Sequence, residues 1–216
     1  MPMPTPTPIY SIIHIDNLDI FLRRGGIYAP NYEPDDGLKY HCIHNADIQK
    51  LRHDRPVICG PCGTIHNYIP FYFGYLSPML LQLKTGQVSG YNEGQEPIIY
   101  LVSNVEDVVA NNFPFVFTDG HGIAFETNWF DDLKNLNQVD WDMVNERYWV
   151  ADYDRDMDRQ RRKQAEFLVY KFMPWKLINE IVVINPYIKK KVESILSHHS
   201  ERLHCPVRIN KEWYYY

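Results

Sequence analysis

The sequence of 216 residues lacks several features that mark common protein classes. No apolar run approaches the ~18 residues that a membrane-spanning helix requires, so the sequence predicts a soluble protein without a membrane partner. It contains no Gly-x-x-x-x-Gly-Lys-Ser/Thr loop and no Gly-x-Gly-x-x-Gly turn. A Walker phosphate site and a Rossmann cofactor site are therefore unsupported.

Cysteine is also scarce. The chain has four: Cys42, Cys59, Cys62 and Cys205. They are too few for a disulfide scaffold and agree with a reducing, cytoplasmic compartment. Residues 59–62 nevertheless read Cys-Gly-Pro-Cys, as in the active site of thioredoxins, but the helix that should follow is missing, which argues against a redox role. A zinc site that adds Cys42 and His44 is a further alternative, and a loop with reduced thiols is the default.

Positive charge is in deficit, with 22 Lys and Arg against 27 Asp and Glu and a net charge of -5. Such a charge repels nucleic acid at long range, so binding would need a local patch. Residues 155–163 are one basic run and residues 189–191 another. The second lies opposite apolar positions of a helical pattern, which indicates a solvated helix face.

The remaining pattern predicts a single α+β domain over residues 9–216, preceded by a flexible extension over residues 1–8 that lacks the features of a signal peptide. The strands do not alternate regularly with helices, which favours a mixed sheet over a doubly wound one. Strands are predicted at 9–15, 79–83, 98–102, 115–118, 165–172, 181–184 and 207–209. Helices are predicted at 18–22, 46–53, 105–110, 129–136 and 186–198. Residues 28–40 are predicted to form a loop.

Glu166 is the only acid at the junction between the basic run and the apolar strand that follows. A carboxylate inside such a strand is costly to bury, which makes it a candidate site residue, although an exposed glutamate on an edge strand would give the same pattern. Residues 119–122, Asp-Gly-His-Gly, follow another predicted strand. His121 there is a candidate for acid–base work or part of a simple turn.

Five aromatic residues fall between Tyr68 and Tyr75, interrupted by Pro70 and Gly74. Such a cluster packs a core or forms a stacking wall for a flat heterocycle.

Taken in order, several segments resemble the DarT family of DNA ADP-ribosyltransferase toxins. The segments are Ile9-Tyr10, His-Ile-Asp-Asn-Leu at 14–18, Ile48-Gln49 with Arg52, Tyr-Ile-Pro-Phe-Tyr-Phe at 68–73, Ser-Pro-Met-Leu at 77–80, Phe-Thr-Asp-Gly-His at 117–121, Asp140-Trp141, Arg-Arg-Lys-Gln-Ala-Glu-Phe-Leu-Val at 161–169 and Trp213-Tyr214.

This resemblance implies an ADP-ribosyltransferase-like split β-sheet core with short surrounding helices, in which two small sheets form a cleft for NAD. It also implies transfer of ADP-ribose from the co-substrate NAD to a base in single-stranded DNA, with thymine favoured and guanine as the alternative. A cytoplasmic, monomeric toxin is expected, with a macrodomain-type antitoxin that has ADP-ribosyl-hydrolase activity as its partner. No metal ion is expected.

By the same resemblance, Glu166 is the catalytic carboxylate beside the nicotinamide ribose, and Arg52 approaches the NAD phosphates or the target base. Cofactor contacts are expected from His14, Asn17, Leu22 and Tyr72. Substrate contacts are expected from His121, Tyr153 and Arg159. The alternative from a different class is a non-catalytic single-stranded nucleic-acid binder that uses residues 155–163 and exposed tyrosines.

Overall fold

The computed structural model describes residues 2–152 and 154–216, so Tyr153 lies outside the described residues. The protein has a large mixed sheet, a two-stranded sheet and short helices, which confirms the predicted α+β class. The strands are β1 (Pro8–His14), β2 (Gly26–Tyr28), β3 (Tyr68–Tyr72), β4 (Ile98–Asn104), β5 (Phe115–Thr118), β6 (Trp129–Phe130), β7 (Glu166–Tyr170), β8 (Phe172–Pro174), β9 (Glu180–Val183) and β10 (Val207–Ile209). The helices are α1 (Leu18–Arg23), α2 (Ala46–Asp54), α3 (Pro78–Lys84), α4 (Val105–Ala110), α5 (Trp141–Asn145), α6 (Arg159–Lys163) and α7 (Pro186–Ser197).

The large sheet has the strand order β10-β9-β4-β1-β3-β7-β5-β6, and β2 pairs with β8 in the small one. Neighbouring strands of the large sheet are antiparallel except β9 and β10. β1 pairs with β4 along its whole length, but it meets β3 only at Tyr10 and Tyr72. The sheet is therefore almost divided between β1 and β3, as the family resemblance implied.

Pro70 can occupy the central strand β3 because β3 lies beside this split. The Phe73 N–H donates to Ala165 and the Asn67 carbonyl accepts from Lys171, so the odd-numbered residues around β3 bond toward β7. The even-numbered Pro70 therefore directs its missing N–H toward β1, where the strands have separated and no ladder hydrogen bond is lost. The sequence-based prediction did not include β3.

Alternation along the strands places the main core on one face of the sheet. Ile9 and Ile13 of β1 point into this core, which α1 and α7 cover. On the other face one apolar cluster includes Tyr10 of β1 together with residues of α3, and a separate cluster includes Leu168 of β7 and Ile65. The split between β1 and β3 lies between these two clusters.

Two predicted elements are wrong. Residues 79–83 form most of helix α3, because the Ser77 side chain accepts from the Leu80 N–H and Pro78 occupies the first helical turn. The predicted helix at 129–136 begins instead with β6, which pairs with β5, and Asp132 then caps a short 3-10 helix.

The N-terminal boundary also differs from the expectation. Pro8 already pairs with Asn104 in the sheet. Thr7 is fully buried, and its N–H and hydroxyl both donate to the Glu106 carboxylate at about 3.0 Å. The anchored part of the chain therefore begins at Thr7. None of the helices in the described part of the chain has the length and apolar character needed to cross a membrane.

Candidate active site

Glu166 lies at the start of β7 with only 1% of its surface exposed. Its cross-strand partner is Tyr72, whose partner in turn is Tyr10, so the three side chains share one face of the sheet beside the split. The Glu166 N–H donates to the Thr118 hydroxyl at 3.0 Å, which ties the start of β7 to the end of β5. The sheet thus places one carboxylate at a defined point of the cleft.

Arg52 of α2 pairs with this carboxylate through both terminal nitrogens. Its Nη1 lies 3.0 Å from Oε1 and its Nη2 lies 2.7 Å from Oε2 of Glu166. Both side chains are buried, so the pair must offset a large desolvation cost, and forked charge-assisted hydrogen bonds are the geometry that does so best. The two candidate catalytic residues are thereby brought together from positions 114 residues apart.

The loop of residues 119–128 supplies a third contact. Its Gly122 N–H donates to Glu166 Oε1 at 3.1 Å. A side chain at Gly122 would crowd Ile65 at 3.2 Å and Glu166 Oε1 at 3.4 Å. The Thr118 hydroxyl donates to the Gly120 carbonyl at 2.6 Å and fixes the first turn of the loop. Sequence reasoning missed Thr118 and Gly122, because their role depends on contacts between segments far apart in the chain.

Burial and neighbouring charges shift the pKa values of the groups in this site. Burial by itself would raise the pKa of Glu166, but Arg52, His121 and the Gly122 N–H together hold that pKa below its ordinary value. Burial lowers the pKa of His121, and Arg52 lowers it further against the opposing effect of Glu166. Burial and then the Glu166 charge raise the pKa of the Tyr72 phenol. At neutral pH the site therefore combines an ionised carboxylate, a guanidinium, a neutral imidazole and a neutral phenol.

The predicted cofactor residues His14 and Asn17 lie in a separate cluster. The His14 ring stacks on His41 with centroids 3.8 Å apart. The Asn17 amide donates to the His41 carbonyl at 2.9 Å and accepts from the His41 N–H at 2.7 Å, so it is occupied by the backbone. Leu22 is buried in the main core, on the side of the sheet away from Tyr72 and Glu166.

Two carboxylates flank the stacked imidazoles. Asp16 Oδ2 lies 3.4 Å from Nδ1 of both His14 and His41, and the Glu93 carboxylate faces their Nε2 atoms at 3.3 and 2.9 Å. His14, Asp16 and His41 are close enough together to ligate an ion. The imidazole rings are nearly parallel, however, with 17° between their planes, so their nitrogen lone pairs run side by side and do not converge on one position.

Several cations of the basic run at 155–163 are paired or buried within the protein. Arg161 pairs with Asp119 and Asp158. Arg162 pairs with acidic residues as well, namely Asp140, Asp156 and Asp158. Lys163 is buried and donates to two backbone carbonyls, and burial lowers its pKa to about 7. Arg159, one of the predicted substrate residues, donates to the Tyr148 carbonyl. Much of the positive charge is therefore already neutralised within the protein.

The cysteine hypotheses gain no support from the described residues. All four cysteines are free thiols. Burial, followed by Asp131 and Cys62, raises the pKa of Cys59 to about 11, whereas a redox nucleophile needs a lowered pKa. The zinc set proposed from Cys42, His44 and residues 59–62 does not form a ligand cluster in the part of the chain that the structure describes.

Comparisons with known proteins identify the family of the chain. A sequence model of the family described as "DarT: ssDNA thymidine ADP-ribosyltransferase" matches residues 10–215. The DNA ADP-ribosyl transferase of Thermus sp. strain 2.9 is 43% identical over 212 residues, which cover 98% of each chain. The structure of Thermus sp. 2.9 DarT in complex with ADP-ribosylated single-stranded DNA is similar with a TM-score of 0.90 at 42% identity, over 98% of both chains. The complex of Thermus sp. 2.9 DarT with NAD+ gives a TM-score of 0.86 at 40% identity, over 98% of this chain and 99% of the other. With a matching family model over nearly its whole length and these relatives, the chain belongs to the DarT family of DNA ADP-ribosyltransferases.

Proposed function

We propose that this protein transfers ADP-ribose from NAD to a thymine base of single-stranded DNA and releases nicotinamide. The chain is an NAD-dependent DNA ADP-ribosyltransferase by its family. The observation that carries the site assignment is the buried Arg52–Glu166 pair beside the split in the sheet. In this proposal the pair holds a charged carboxylate next to the ribose carbon on which the family's reaction develops positive charge.

Glu166 is the proposed catalytic carboxylate. Departure of nicotinamide leaves a cationic, oxocarbenium-like ribose, which a fixed negative charge stabilises more than it stabilises the ground state. The lowered pKa of Glu166 keeps this charge in place at neutral pH. Tyr72, adjacent on the same face, is the proposed aromatic wall for nicotinamide.

Arg52 has a second proposed role. A guanidinium carries five N–H donors, and the contacts to Glu166 use two of them. The others are available to an NAD phosphate or to the edge of a base. The side chain thus orients Glu166 and a substrate group at the same time.

His14 and Asn17 are proposed to serve the far end of the cofactor. Because the Asn17 amide is bonded to the His41 backbone, its contribution is to hold the segment around His41 in place. Leu22, within the core, supports α1 in this proposal and does not touch NAD itself.

On the DNA side we propose His121, Tyr153 and Arg159 as substrate contacts. His121 is the best supported of the three, because it lies close enough to Glu166 and Arg52 for both of their charges to affect its pKa. A base must be turned out of the strand to reach such a site, and stacking then holds it. Thymine is preferred over guanine because the 162–167 and 68–73 segments resemble the thymidine-modifying branch of the family.

The test uses labelled NAD with oligonucleotides of mixed sequence, followed by mass spectrometry of the released nucleosides. ADP-ribose on thymidine is expected. ADP-ribose on guanosine alone would overturn the base assignment, and label on protein but not on DNA would overturn the substrate class. Binding of the oligonucleotide without transfer would support the non-catalytic binder.

The biological role proposed is the toxin of a toxin–antitoxin pair, acting as a cytoplasmic monomer with residues 9–216 as one catalytic domain. Modified template bases block replication, so a macrodomain-type hydrolase that removes ADP-ribose is the expected partner. Induced expression in bacteria should arrest growth with the wild type and not with Glu166→Gln, and co-expression of such a hydrolase should restore growth. Equal growth of the two strains would contradict the toxin role.

A further inference from the structure

Arg161 connects two loops that border the candidate active site. Its Nη1 lies 2.8 Å from Asp119 Oδ1, while Nε and Nη2 grip the Asp158 carboxylate at 2.7 Å each. Its backbone carbonyl accepts the His121 N–H at 3.0 Å. The side chain is only 16% exposed. One residue of α6 thus contacts the loop of residues 119–128 through both its side chain and its backbone.

The contacts fall on the base of that loop. Asp119 and Asn128 close it, because the Asn128 N–H and side-chain amide both donate to the Asp119 carboxylate, at 3.0 and 2.7 Å. Within the loop the Thr127 hydroxyl donates to the His121 carbonyl at 2.7 Å. The loop is therefore a closed unit, and Arg161 fixes its orientation relative to α6.

The surroundings of Gly120 show how closely the Arg161 guanidinium packs against the loop. A Cβ at this position would lie 2.3 Å from Arg161 Nη1 and 2.9 Å from Arg161 Cγ. Arg161 could give way only by leaving Asp119 and Asp158. Two residues further on, the Gly122 N–H reaches Glu166 Oε1. If the base of the loop moved, the Gly122 N–H that contacts Glu166 would move with it.

We propose that Arg161 is a positioning residue for the transfer reaction, acting through Asp119 to hold the Gly122 N–H and His121 against Glu166. In the described contacts Arg161 touches neither Glu166 nor Arg52. Its effect should lie in turnover, because the loop orients groups that act on the reacting centre, whereas NAD contacts elsewhere in the cleft stay intact. This inference goes beyond the assignment of Glu166 and Arg52 and holds for transfer to either base.

The competing explanation is that Arg161 binds a DNA phosphate. The two roles predict opposite behaviour for Asp119. If the ion pair positions the loop, Asp119→Asn removes the Arg161–Asp119 contact that Arg161→Gln also removes, and it causes a loss in the same parameter. If Arg161 binds phosphate, Asp119→Asn frees a guanidinium and removes a negative charge, so DNA affinity should increase.

The experiment measures kcat, the KM values for NAD and oligonucleotide, and thermal stability for Arg161→Gln, Asp119→Asn and the double variant. Each single variant should lose about 10- to 100-fold in kcat, as expected when reacting groups shift by a fraction of an ångström to one ångström. The KM for NAD should stay within about twofold, since the variants leave ground-state binding of the cofactor intact. The double variant should lose less than the two single losses combined, because the Arg161–Asp119 contact is removed in both single variants.

Arg162→Gln is the matched control. It removes the same charge from the same helix. Its acidic partners Asp140, Asp156 and Asp158 lie outside residues 119–128, and of these it shares only Asp158 with Arg161. It should keep kcat within about threefold of wild type, the scale of an ordinary surface substitution. Arg161→Lys, which keeps the charge but not the fork, should recover part of the loss.

Several results would overturn the proposal. One is a loss in Arg161→Gln that appears only in the KM for DNA. Another is an Asp119→Asn variant with normal kcat while Arg161→Gln is impaired. The proposal would also be overturned if the losses in kcat of the two single variants added fully in the double variant. It would be overturned as well if Arg162→Gln and Arg161→Gln lost the same kcat at equal thermal stability.

Discussion

Around Glu166 the polar side chains are joined by short charge-assisted hydrogen bonds, whereas around His14 two imidazole rings stack between two carboxylates. Glu166 is bonded by Arg52 and by the Gly122 N–H. His14 Nε2 is buried and lacks a hydrogen-bond partner, although Glu93 lies 3.3 Å away. The proposed catalytic groups around Glu166 are thus fixed by hydrogen bonds within the protein, whereas the predicted cofactor residue His14 keeps a buried ring nitrogen without a hydrogen-bond partner.

This difference has an energetic basis. A carboxylate that must stabilise a short-lived cation gains from a rigid setting, because no reorganisation is then needed during the reaction. A binding region can leave polar groups incompletely bonded and satisfy them with the ligand. The two regions should therefore respond differently to substitution. Changes around Glu166 should reduce turnover, and changes around His14 should alter binding and pH response.

The strongest test of this contrast is Glu166→Gln. It should reduce turnover by about 10²-fold or more, the size of one preorganised electrostatic contact. It should also destabilise the fold by about 3–5 kcal/mol, because Arg52 becomes a buried charge without a partner. Turnover with labelled NAD must therefore be measured on protein shown to be folded by circular dichroism.

Glu166→Asp separates the two effects. It keeps the negative charge but retracts it by one methylene, so we expect a smaller loss of stability together with a clear loss of turnover. A folded Glu166→Gln variant whose activity is within about tenfold of wild type would remove Glu166 from the catalytic role, since such contacts are commonly worth more than that.

Arg52→Lys should have the next largest effect. Lysine cannot make the forked contact to both Glu166 oxygens, and one hydrogen bond to a charged group is worth about 1.5–3 kcal/mol, or roughly 10- to 100-fold in rate if it is lost in the transition state. Arg208→Lys is the matched control, because Arg208 makes a similar fork to Glu180 at 2.9 Å on the edge of the sheet. Near-normal turnover of Arg52→Lys would indicate that a point charge is sufficient there.

The sequence predicts residues on both sides of this comparison by the same route. Glu166 and Arg52, like His14 and Asn17, lie in segments whose order resembles a known family. Amphipathic α7 was predicted because its apolar residues repeat with helical spacing, and α4 also matches its predicted bounds.

Long-range placement was not predictable in the same way. The run of residues 159–163 reads as a cationic surface, and only the fold brings Asp119 and Asp140 against it. Strand β3 was missed because the harmlessness of Pro70 depends on β1 having separated from it. Both errors have one cause: local patterns do not record which segment lies opposite.

A pH experiment separates His14 from Glu166, and the comparison is made with variants because His121 beside Glu166 also has a lowered pKa. Burial and then His41 lower the pKa of His14 from its ordinary 6.5, against the opposing effects of Asp16 and Glu93. Below pH 6.5 the unfolded chain then binds more protons than the folded one. The free energy of unfolding therefore decreases as the pH falls toward the pKa of His14 in the folded protein. For Glu166 the pKa is lowered from 4.5, so its contribution is lost only as the pH falls below that value.

Urea unfolding at pH 7.5 and 5.5 can separate the pH range in which His14 titrates from the lower range in which Glu166 titrates. Between these pH values the wild type should lose stability, and His14→Gln should lose less, because the group that titrates is gone. Glu166→Asp should show the same pH dependence as wild type over this range. Equal pH dependence of His14→Gln and wild type would show that His14 is not the group responsible.

The smallest effect is expected from the cysteine pair, which belongs to neither region. Cys59 packs beside the cluster that covers β3 and β7, and the neighbouring Gly60 N–H is bonded to Asp131 at 2.9 Å, but no described contact of the pair reaches Glu166 or Arg52. Serine is close to cysteine in size, so the double variant Cys59→Ser, Cys62→Ser should keep kcat within about twofold and lose at most about 1 kcal/mol of stability, from the partly buried Cys59. The measurement is transfer to the oligonucleotide with and without dithiothreitol. A large loss in the variant, or a wild-type activity that depends on the reductant, would mean that these thiols take part in function and that the comparison drawn above omits a third active region.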